Sequence, residues 1–275
     1  MNDTFEEVPW PRIRELVVDA LTAGHRAHLA HGLLEIDVSR ALALLQEDKA
    51  RTPGATSFTA FLAYCLGQAV DRHKMLHAYR KGSGKLVIFD DVDVSTLLEK
   101  RKPDGSLVPV MYVVRGANRK TLTDINREMR DAVRDDLYDE PGVRRRRQIL
   151  RLPRAARRVL WWWMRRDPVR RKRQWGTVGL SNAGSFIGQR PSWGIPISFV
   201  TCALIIGSVA ERVCWVDGRP QPRKMLGVTV TVDHDIVDGA PGARFARTLA
   251  ELIESAAGLA DLVPEQAPAD AGVRP

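Results

Sequence analysis

The sequence predicts an α/β fold in which helices pack on a mixed β-sheet as a two-layer sandwich. Helical and strand periodicities follow each other irregularly, without the regular strand–helix rhythm of a doubly wound parallel sheet. The 275 residues, of which 44% are hydrophobic, are enough to fill one sizeable core. The chain has no internal repeat and no run of eighteen apolar residues, so the sequence excludes a repeat array and a membrane-spanning helix.

Apolar periodicity and capping residues predict the individual elements. Ser39 and Ser57 stand where helix N-caps are expected, and segment 58–72 is apolar almost all round, which is typical of a buried helix. Asp217-Gly218 predicts a tight turn between two strands. The predicted helices span 12–30, 39–48, 58–72, 121–136 and 240–259, and the predicted strands span 33–38, 85–89, 107–114, 177–181, 199–206 and 226–233.

The positive charge is concentrated in one segment. Between Arg144 and Arg173 there are fourteen basic residues and one acid, a net charge of +13, whereas the whole chain carries +9. The remainder is mildly acidic, with a net charge of −4. We therefore predict four regions: an N-terminal arm (1–11), a single folded domain (12–140 and 174–262), a basic aromatic insert (141–173), and a disordered tail rich in Pro and Ala (263–275).

The N-terminus and the cysteines favour a cytoplasmic location. The first residues are acidic and lack the apolar core of a signal peptide. The three cysteines are an odd number, and their spacing suits neither a disulfide framework nor a zinc site. We therefore expect free thiols, no bound metal and a reducing compartment.

One motif joins a predicted strand to a predicted helix and carries side chains suited to proton transfer. The alternating residues of Val228-Thr-Val-Thr-Val-Asp-His234 predict a half-buried strand that ends at the histidine, and Asp238-Gly239 precede the next helix. Histidine has an ordinary pKa of about 6.5, which suits acid–base catalysis. Asp238 can fix the loop, and Gly239 admits backbone conformations closed to other residues. By itself the motif also fits a capping histidine beside a turn aspartate.

Four further motifs accompany this one along the chain. They are Val8-Pro-x-x-x-x-Arg14, Leu34-Glu-Ile-Asp-Val-Ser39, Gly105-Ser-Leu-Val-Pro-Val110 and Gly176-Thr-Val-Gly-Leu-Ser181-Asn-Ala-Gly184. Together with the histidine motif they resemble, in the same order, the catalytic domain of the dihydrolipoamide acyltransferases of 2-oxo acid dehydrogenase complexes. The resemblance covers about residues 8–140 and 174–262. It implies a sandwich of the chloramphenicol acetyltransferase-like type and an acyltransferase-like catalytic domain.

The resemblance implies transfer of an acyl group between coenzyme A, as acyl-CoA, and a thiol or other acceptor. His234 would take the proton of the incoming thiol, whose ordinary pKa of about 8.5 leaves it mostly protonated at neutral pH. Ser181 would donate a hydrogen bond to the oxyanion. The thiolate attacks the thioester directly, so the scheme requires no acyl-enzyme. Where the family usually has an arginine after the histidine, this chain has Asp235, which is expected to raise the pKa of the histidine.

The resemblance also assigns supporting residues to the site. It pairs Asp238 with Arg14, and it implies two further structural supports, Asn182 and Gly239. Alternatives remain open at three positions, because Arg12 could replace Arg14, Asp238 could only cap the following helix, and Ser181 could only terminate its strand.

The resemblance implies a homo-oligomer, either a trimer or an assembly of trimers, in which Ser181 and His234 come from different chains. A lipoyl-bearing protein encoded elsewhere is one possible acceptor. Because about ten residues precede the domain, lipoyl and subunit-binding domains are expected to be absent, and the chain is expected to carry no covalent lipoyl site. The alternative function is a non-catalytic scaffold with this fold, recruited to a membrane or an acidic partner through residues 144–173.

The insert predicts an amphipathic helix. At 100° per residue one face collects Arg147, Arg151, Arg154, Arg158 and Arg165, and the opposite face collects Ile149, Leu152, Ala156, Val159, Leu160 and Trp163. Trp161-Trp-Trp163 among arginines is typical of a peripheral helix on an anionic membrane. The alternatives are packing on its own domain or a sister subunit, and an acidic protein partner. Nucleic acid is disfavoured, because no recognised nucleic-acid-binding fold surrounds the segment.

Overall fold

A computed structural model describes residues 5–24, 27–101, 105, 107–134, 148–184, 188 and 190–262. The predicted tail 263–275 lies outside the described residues, as do residues 141–147 of the predicted insert. The arm is described from residue 5 onward and has no regular secondary structure before α1, the first helix (Ile13–Gly24).

The strands build a mixed sheet. They are β1 (Leu29–Asp37), β2 (Tyr79–Lys81), β3 (Lys85–Val87), β4 (Val94–Arg101), β5 (Leu107–Val114), β6 (Val178–Asn182), β7 (Cys202–Val216) and β8 (Arg219–Asp233). Six of them form one sheet in the order β1–β8–β7–β6–β4–β5, while β2 and β3 form a separate hairpin. β6 runs parallel to both of its neighbours, and the other pairs are antiparallel. The predicted α/β fold with a mixed sheet is confirmed.

Helices cover one face of this sheet. After α1 come α2 (Ser39–Arg51), α3 (Phe58–Arg72), α4 (Leu122–Arg134), α5 (Arg154–Arg166), α6 (Pro168–Trp175) and α7 (Gly239–Glu254), with short 3₁₀ turns at Lys74–His77 and Ala117–Arg119. α3 packs against both α4 and α7 and is buried along most of its length, as its apolar sequence predicts. Its N-cap is confirmed, since the Ser57 side chain accepts a hydrogen bond from the Ala60 amide at 3.1 Å.

A long hairpin carries the histidine motif. β7 and β8 are 15 residues each, and they are joined at Asp217-Gly218, whose φ angles of 50° and 75° give the tight turn predicted there. Val228, Val230 and Val232 all lie in the core, as their alternation predicts. The prediction that this strand is half-buried is wrong, because Thr229 and Thr231, on its other face, are also fully buried. The end of this strand therefore places His234 at one edge of the folded core.

The predicted helix 12–30 is too long. α1 ends at Gly24, and β1 begins at Leu29 rather than at residue 33. β1 pairs with β8 from Leu29 opposite Asp233 to Asp37 opposite Met225. This ladder of backbone hydrogen bonds outweighs the helical preference of the local sequence.

β4 was not predicted from the sequence. It buries Thr96, Leu98 and Lys100 on one face, with Lys100 only 2% exposed. Because Thr96 and Lys100 place a hydroxyl and an ammonium group on the buried face, β4 lacks the apolar periodicity by which a strand is recognised. Pairing with β5 on one side and β6 on the other stabilises this sequence as a central strand.

The predicted helical face of the insert is wrong. Arg157 on α5 is buried, at 3% exposure, and Leu160 and Trp161 are partly buried beside it. Val159 and Trp163, which belong to the predicted apolar face, are 63% and 47% exposed, so that face is not the one that packs on the domain.

An ion-pair network determines which side of α5 is buried. The Arg157 guanidinium lies 2.5 Å from a carboxylate oxygen of Glu15 and 2.8 Å from one of Asp19, both on α1. Trp161 stacks on Trp175 of α6, with ring centroids 4.9 Å apart and 10° between the planes. A buried arginine with two carboxylate partners is therefore the anchor of α5, and periodicity of apolar residues alone does not reveal it.

Candidate active site

The turn after β8 holds His234 on a fixed backbone. The Asp233 amide donates to the Thr201 carbonyl at 2.8 Å, and the His234 amide donates to the His28 carbonyl at 2.7 Å. The Asp233 carbonyl then accepts from the Val237 amide at 3.0 Å, and Val237 is 1% exposed in the core. His234 itself is exposed. The histidine thus lies where a strand meets a loop, as predicted, with its ring open to a ligand.

The carboxylate next to His234 is engaged by a second histidine. Asp235 Oδ1 lies 2.9 Å from His28 Nδ1, and this hydrogen bond together with the negative charge of Asp235 raises the pKa of His28. Burial raises the pKa of the Asp233 carboxyl, which also accepts a hydrogen bond from the Asp235 amide. Sequence reasoning missed the role of His28, because it stands 207 residues from its partner.

Ser181 lies far from His234 in the same chain. In the sheet register Ser181 is opposite Ile205, and Ile205 is opposite Thr229. His234 stands five residues beyond Thr229, which corresponds to about 16 Å along the strand at roughly 3.3 Å per residue. Because β7 also separates the two strands, one chain does not bring the serine and the histidine into a common site.

Ser181 lies on the face of the sheet that turns away from the main core. Val178 and Leu180 point into the main core, so the alternation of β6 directs Ser181 to the opposite face. This face is partly covered, because its residues on the adjoining parts of β7 and β8 are buried. Leu33 and Leu97 belong to this same face by register and are 57% and 52% exposed. Large apolar side chains exposed on one face of a sheet are typical of a surface that contacts another protein.

The end of β6 is fixed by two close contacts. The Asn182 side-chain amide donates to Thr59 Oγ1, on α3, at 3.4 Å. Gly184 packs so tightly that a Cβ atom there would lie 1.7 Å from the Gly207 carbonyl oxygen. The Ser181 segment therefore requires a glycine at position 184, because no side chain fits there. The sequence offered one sign of this requirement, since the serine motif ends at this glycine.

The supporting residues of the histidine loop are not assembled. Arg14 and Asp238 are exposed, and among the described residues no ion pair or hydrogen bond joins them. Asp238 occupies the N-cap position of α7, but its side chain makes no capping hydrogen bond, so the alternative of a side-chain cap is wrong. Gly239 has no positive φ, and a Cβ there would meet nothing within 4 Å. The expectation that Gly239 needs a special conformation is therefore wrong.

A cavity of about 890 Å³ opens beside the histidine loop. One wall is formed by Asp233, Asp235 and Ile236, and another by α1 and the 198–200 segment. The third wall is α5, which contributes guanidinium and indole groups. In the part of the chain that the structure describes, no group of three or more His, Cys, Asp or Glu is arranged to hold a metal ion. None of the described helices is long and apolar enough to cross a membrane.

The fold is shared with solved acyltransferase cores. The dihydrolipoamide acetyltransferase of Azotobacter vinelandii superposes with a TM-score of 0.69 at 19% identity, covering 94% of this chain and 95% of that one. The cubic core of a pyruvate dehydrogenase multienzyme complex superposes with a TM-score of 0.66 at 17% identity, over 94% and 95% of the two chains. These matches define the fold class as that of the dihydrolipoamide acyltransferase cores.

Sequence comparison gives the family. The 2-oxoacid dehydrogenases acyltransferase (catalytic domain) family matches residues 2–137 and 171–260, and this chain belongs to it. The acetyltransferase component of the pyruvate dehydrogenase complex of Mycoplasma pneumoniae is 27% identical over 201 residues, which are 72% of this chain but 41% of that protein. The chain thus spans less than half the length of this curated relative. Residues 138–170, between the two matched segments, include all of α5.

Proposed function

We propose that this chain is a CoA-dependent acyltransferase whose site is completed between two copies. The observation that carries the proposal is the position of His234, which is exposed at the end of β8, is held there by backbone hydrogen bonds, and stands between Asp233 and Asp235 in the lining of a large cavity. The Azotobacter vinelandii enzyme was crystallised to investigate a serine, a histidine and an asparagine in catalysis, and its asparagine follows the histidine by four positions. Asp238 stands at the same spacing after His234.

The reaction proceeds without an acyl-enzyme. His234 accepts the proton of the incoming thiol, and the thiolate attacks the thioester carbonyl to form a tetrahedral oxyanion. Ser181 of a neighbouring copy donates a hydrogen bond to that oxyanion. When the intermediate collapses, the carbon–sulfur bond of the donor breaks, and the leaving thiolate takes the proton from the imidazolium. Acyl group and proton are thereby exchanged between two thiols.

The shared site follows from the distance between the two residues. Ser181 and His234 lie at different ends of the sheet in one chain, and Leu33 and Leu97 are exposed on the sheet face that carries the serine. A second copy seated on this face can bring its own histidine loop to the serine. The cubic core among the solved relatives is an assembly of this kind of chain, and we propose a trimer or an assembly of trimers here.

The supporting residues have distinct roles in this proposal. Asn182 and the tightly packed Gly184 hold the end of β6, and thereby the Ser181 hydroxyl. Asp238 and Arg14 are both exposed, and we place their pairing in the assembled form. Gly239 is the first residue of α7 and has no further role in this proposal.

CoA is the proposed acyl carrier on one side of the reaction. On the other side the acceptor is a thiol, and a lipoyl group on a separate protein is the candidate that the relative from Mycoplasma pneumoniae suggests by its description as a dihydrolipoyllysine-residue acetyltransferase component. We further propose that residues 12–140 and 174–262 form the catalytic domain and that residues 141–173 are an insert into it.

Thiol release from a panel of acyl-CoAs tests the function. Release is measured with and without dihydrolipoamide for the wild type and for His234→Ala. Loss of a general base should lower kcat by about 100- to 10,000-fold, while the exposed position of the ring predicts an unchanged melting temperature. Turnover retained in a well-folded His234→Ala variant would contradict the assignment of the base.

The second candidate is a non-catalytic scaffold recruited to an anionic membrane. The observation that favours it is the exposed side of α5, where Trp162 is 52% and Trp163 is 47% exposed and each ring lies under an arginine, Arg166 at 4.0 Å and Arg170 at 3.5 Å. Sedimentation with phosphatidylserine vesicles, compared with a Trp162→Ala/Trp163→Ala variant, tests this candidate. If both proteins stay in the supernatant, the membrane candidate is excluded.

A further inference from the structure

The cavity beside the histidine loop has charged groups of both signs in its walls. Five of the seven arginines in the lining belong to α5, and two of these, Arg154 and Arg158, stand one helical turn apart on the same side of the helix. The carboxylates of Asp233 and Asp235, in the histidine loop, line another part of the wall. The α5 wall is therefore the part of the cavity that best suits an anionic group.

Most of the other charged groups in the walls are already paired. Arg157 is held by Glu15 and Asp19, and Asp235 pairs with His28. Across the described residues, by contrast, neither Arg154 nor Arg158 has a carboxylate partner. Two guanidinium groups one helical turn apart, neither of them held by a carboxylate, are suited to phosphate oxygens.

Aromatic rings adjoin these guanidinium groups. Trp10 and Trp162 line the cavity, as does the stacked pair Trp161–Trp175. Flat indole faces next to cations are the surfaces on which a nucleobase stacks while its phosphates are bound. The α5 wall therefore offers the two kinds of contact that a phosphorylated nucleotide uses.

We propose that the α5 wall binds the adenosine 3′,5′-bisphosphate end of the acyl-CoA, with Arg154 and Arg158 on its phosphates and the thioester arm directed toward His234. The inference rests on the proposed function for the identity of the carrier. It assigns to the insert a role in binding the substrate.

Binding and turnover are measured separately. Calorimetry with adenosine 3′,5′-bisphosphate, CoA and pantetheine is carried out on the full chain and on Arg154→Ala/Arg158→Ala. Loss of two charge-assisted contacts on an exposed surface should weaken the bisphosphate and CoA about 10- to 100-fold. The control is Arg151→Ala/Arg173→Ala, which removes the same charge from exposed arginines outside the cavity lining and should bind like the wild type.

Kinetics then compare acyl-CoA with acyl-pantetheine, which lacks the nucleotide. The ratio of kcat/KM for the two donors should fall about 10-fold or more in Arg154→Ala/Arg158→Ala. Equal affinity for the bisphosphate in both proteins, or an equal loss with both donors, would overturn the inference. Arginine-dependent binding of the bisphosphate without turnover of any thioester would support the inference and refute the proposed function.

Discussion

His77 is a buried neutral histidine whose environment links stability to pH. It is fully buried, with Nδ1 3.3 Å from Thr177 Oγ1, and burial lowers its pKa to about 4. An unfolded chain binds this proton at its ordinary pKa of about 6.5, whereas the folded chain binds it only near pH 4. The protonation therefore favours unfolding as pH falls from about 6.5 to 4.

We expect the free energy of unfolding to decrease by up to about 3 kcal/mol over that range on account of His77 alone. Urea denaturation of the wild type and of His77→Gln at several pH values between 7 and 4.5 measures the difference. The free energy of unfolding of the wild type, measured relative to that of His77→Gln, should decrease steadily as pH falls. A difference between the two proteins that does not change with pH would show that His77 does not carry this dependence.

Two glycines of the site motifs differ in what they require. Gly184 has no room for a side chain, because a Cβ atom there would lie 1.7 Å from the Gly207 carbonyl oxygen. At Gly239 a Cβ atom would meet nothing within 4 Å. Gly184→Ala should displace the Ser181 segment and lower the melting temperature, and it should also reduce turnover. Gly239→Ala should leave stability within about 0.5 kcal/mol of the wild type. Thermal unfolding of both variants measures this difference in stability. Equal melting temperatures would contradict the close packing at Gly184.

At the scale of elements, α5 is fixed to α1 by one arginine. Replacing Arg157 by Leu removes the guanidinium and leaves the part-buried carboxylates of Glu15 and Asp19 without a partner. Such a loss should destabilise the docked helix by about 3 kcal/mol. Limited proteolysis should then cut between α4 and α6 sooner than in the wild type. The matched variant Arg158→Leu removes an exposed arginine and should be cut at the wild-type rate, and equal cutting of both variants would refute the anchor.

The elements that the sequence predicted correctly are those whose own residues determine them. The alternation of Val228, Val230 and Val232 predicted β8, and the apolar run after Ser57 predicted α3. β4 and the start of β1 could not be predicted, because pairing with distant strands stabilises them against their local composition. The buried side of α5 could not be predicted either, since it depends on an arginine whose partners lie on α1.

At the scale of the whole molecule, the motifs predict the site residues, and the resemblance predicts that His234 and Ser181 come from different chains. The register through Ile205 adds how far apart these two residues lie in one chain. The contact of His28 emerged only with the structure, because a contact across 207 residues leaves no spacing to recognise. Gly184 already closes the serine motif in the sequence, but its close backbone contact is visible only in the structure.

In the proposed enzyme one copy supplies His234 and another supplies Ser181. Mixing two inactive variants tests this shared site. His234→Ala and Ser181→Ala proteins are purified separately, then unfolded together and refolded at equal amounts, with thiol release from acyl-CoA as the measurement. In a trimer with random mixing, about a quarter of the sites should combine an intact histidine with an intact serine, and activity should recover to about a quarter of the wild-type value. Recovery near that value would support a site shared between copies. Activity no higher than that of the separate variants, in a mixture that refolds and assembles normally, would contradict it.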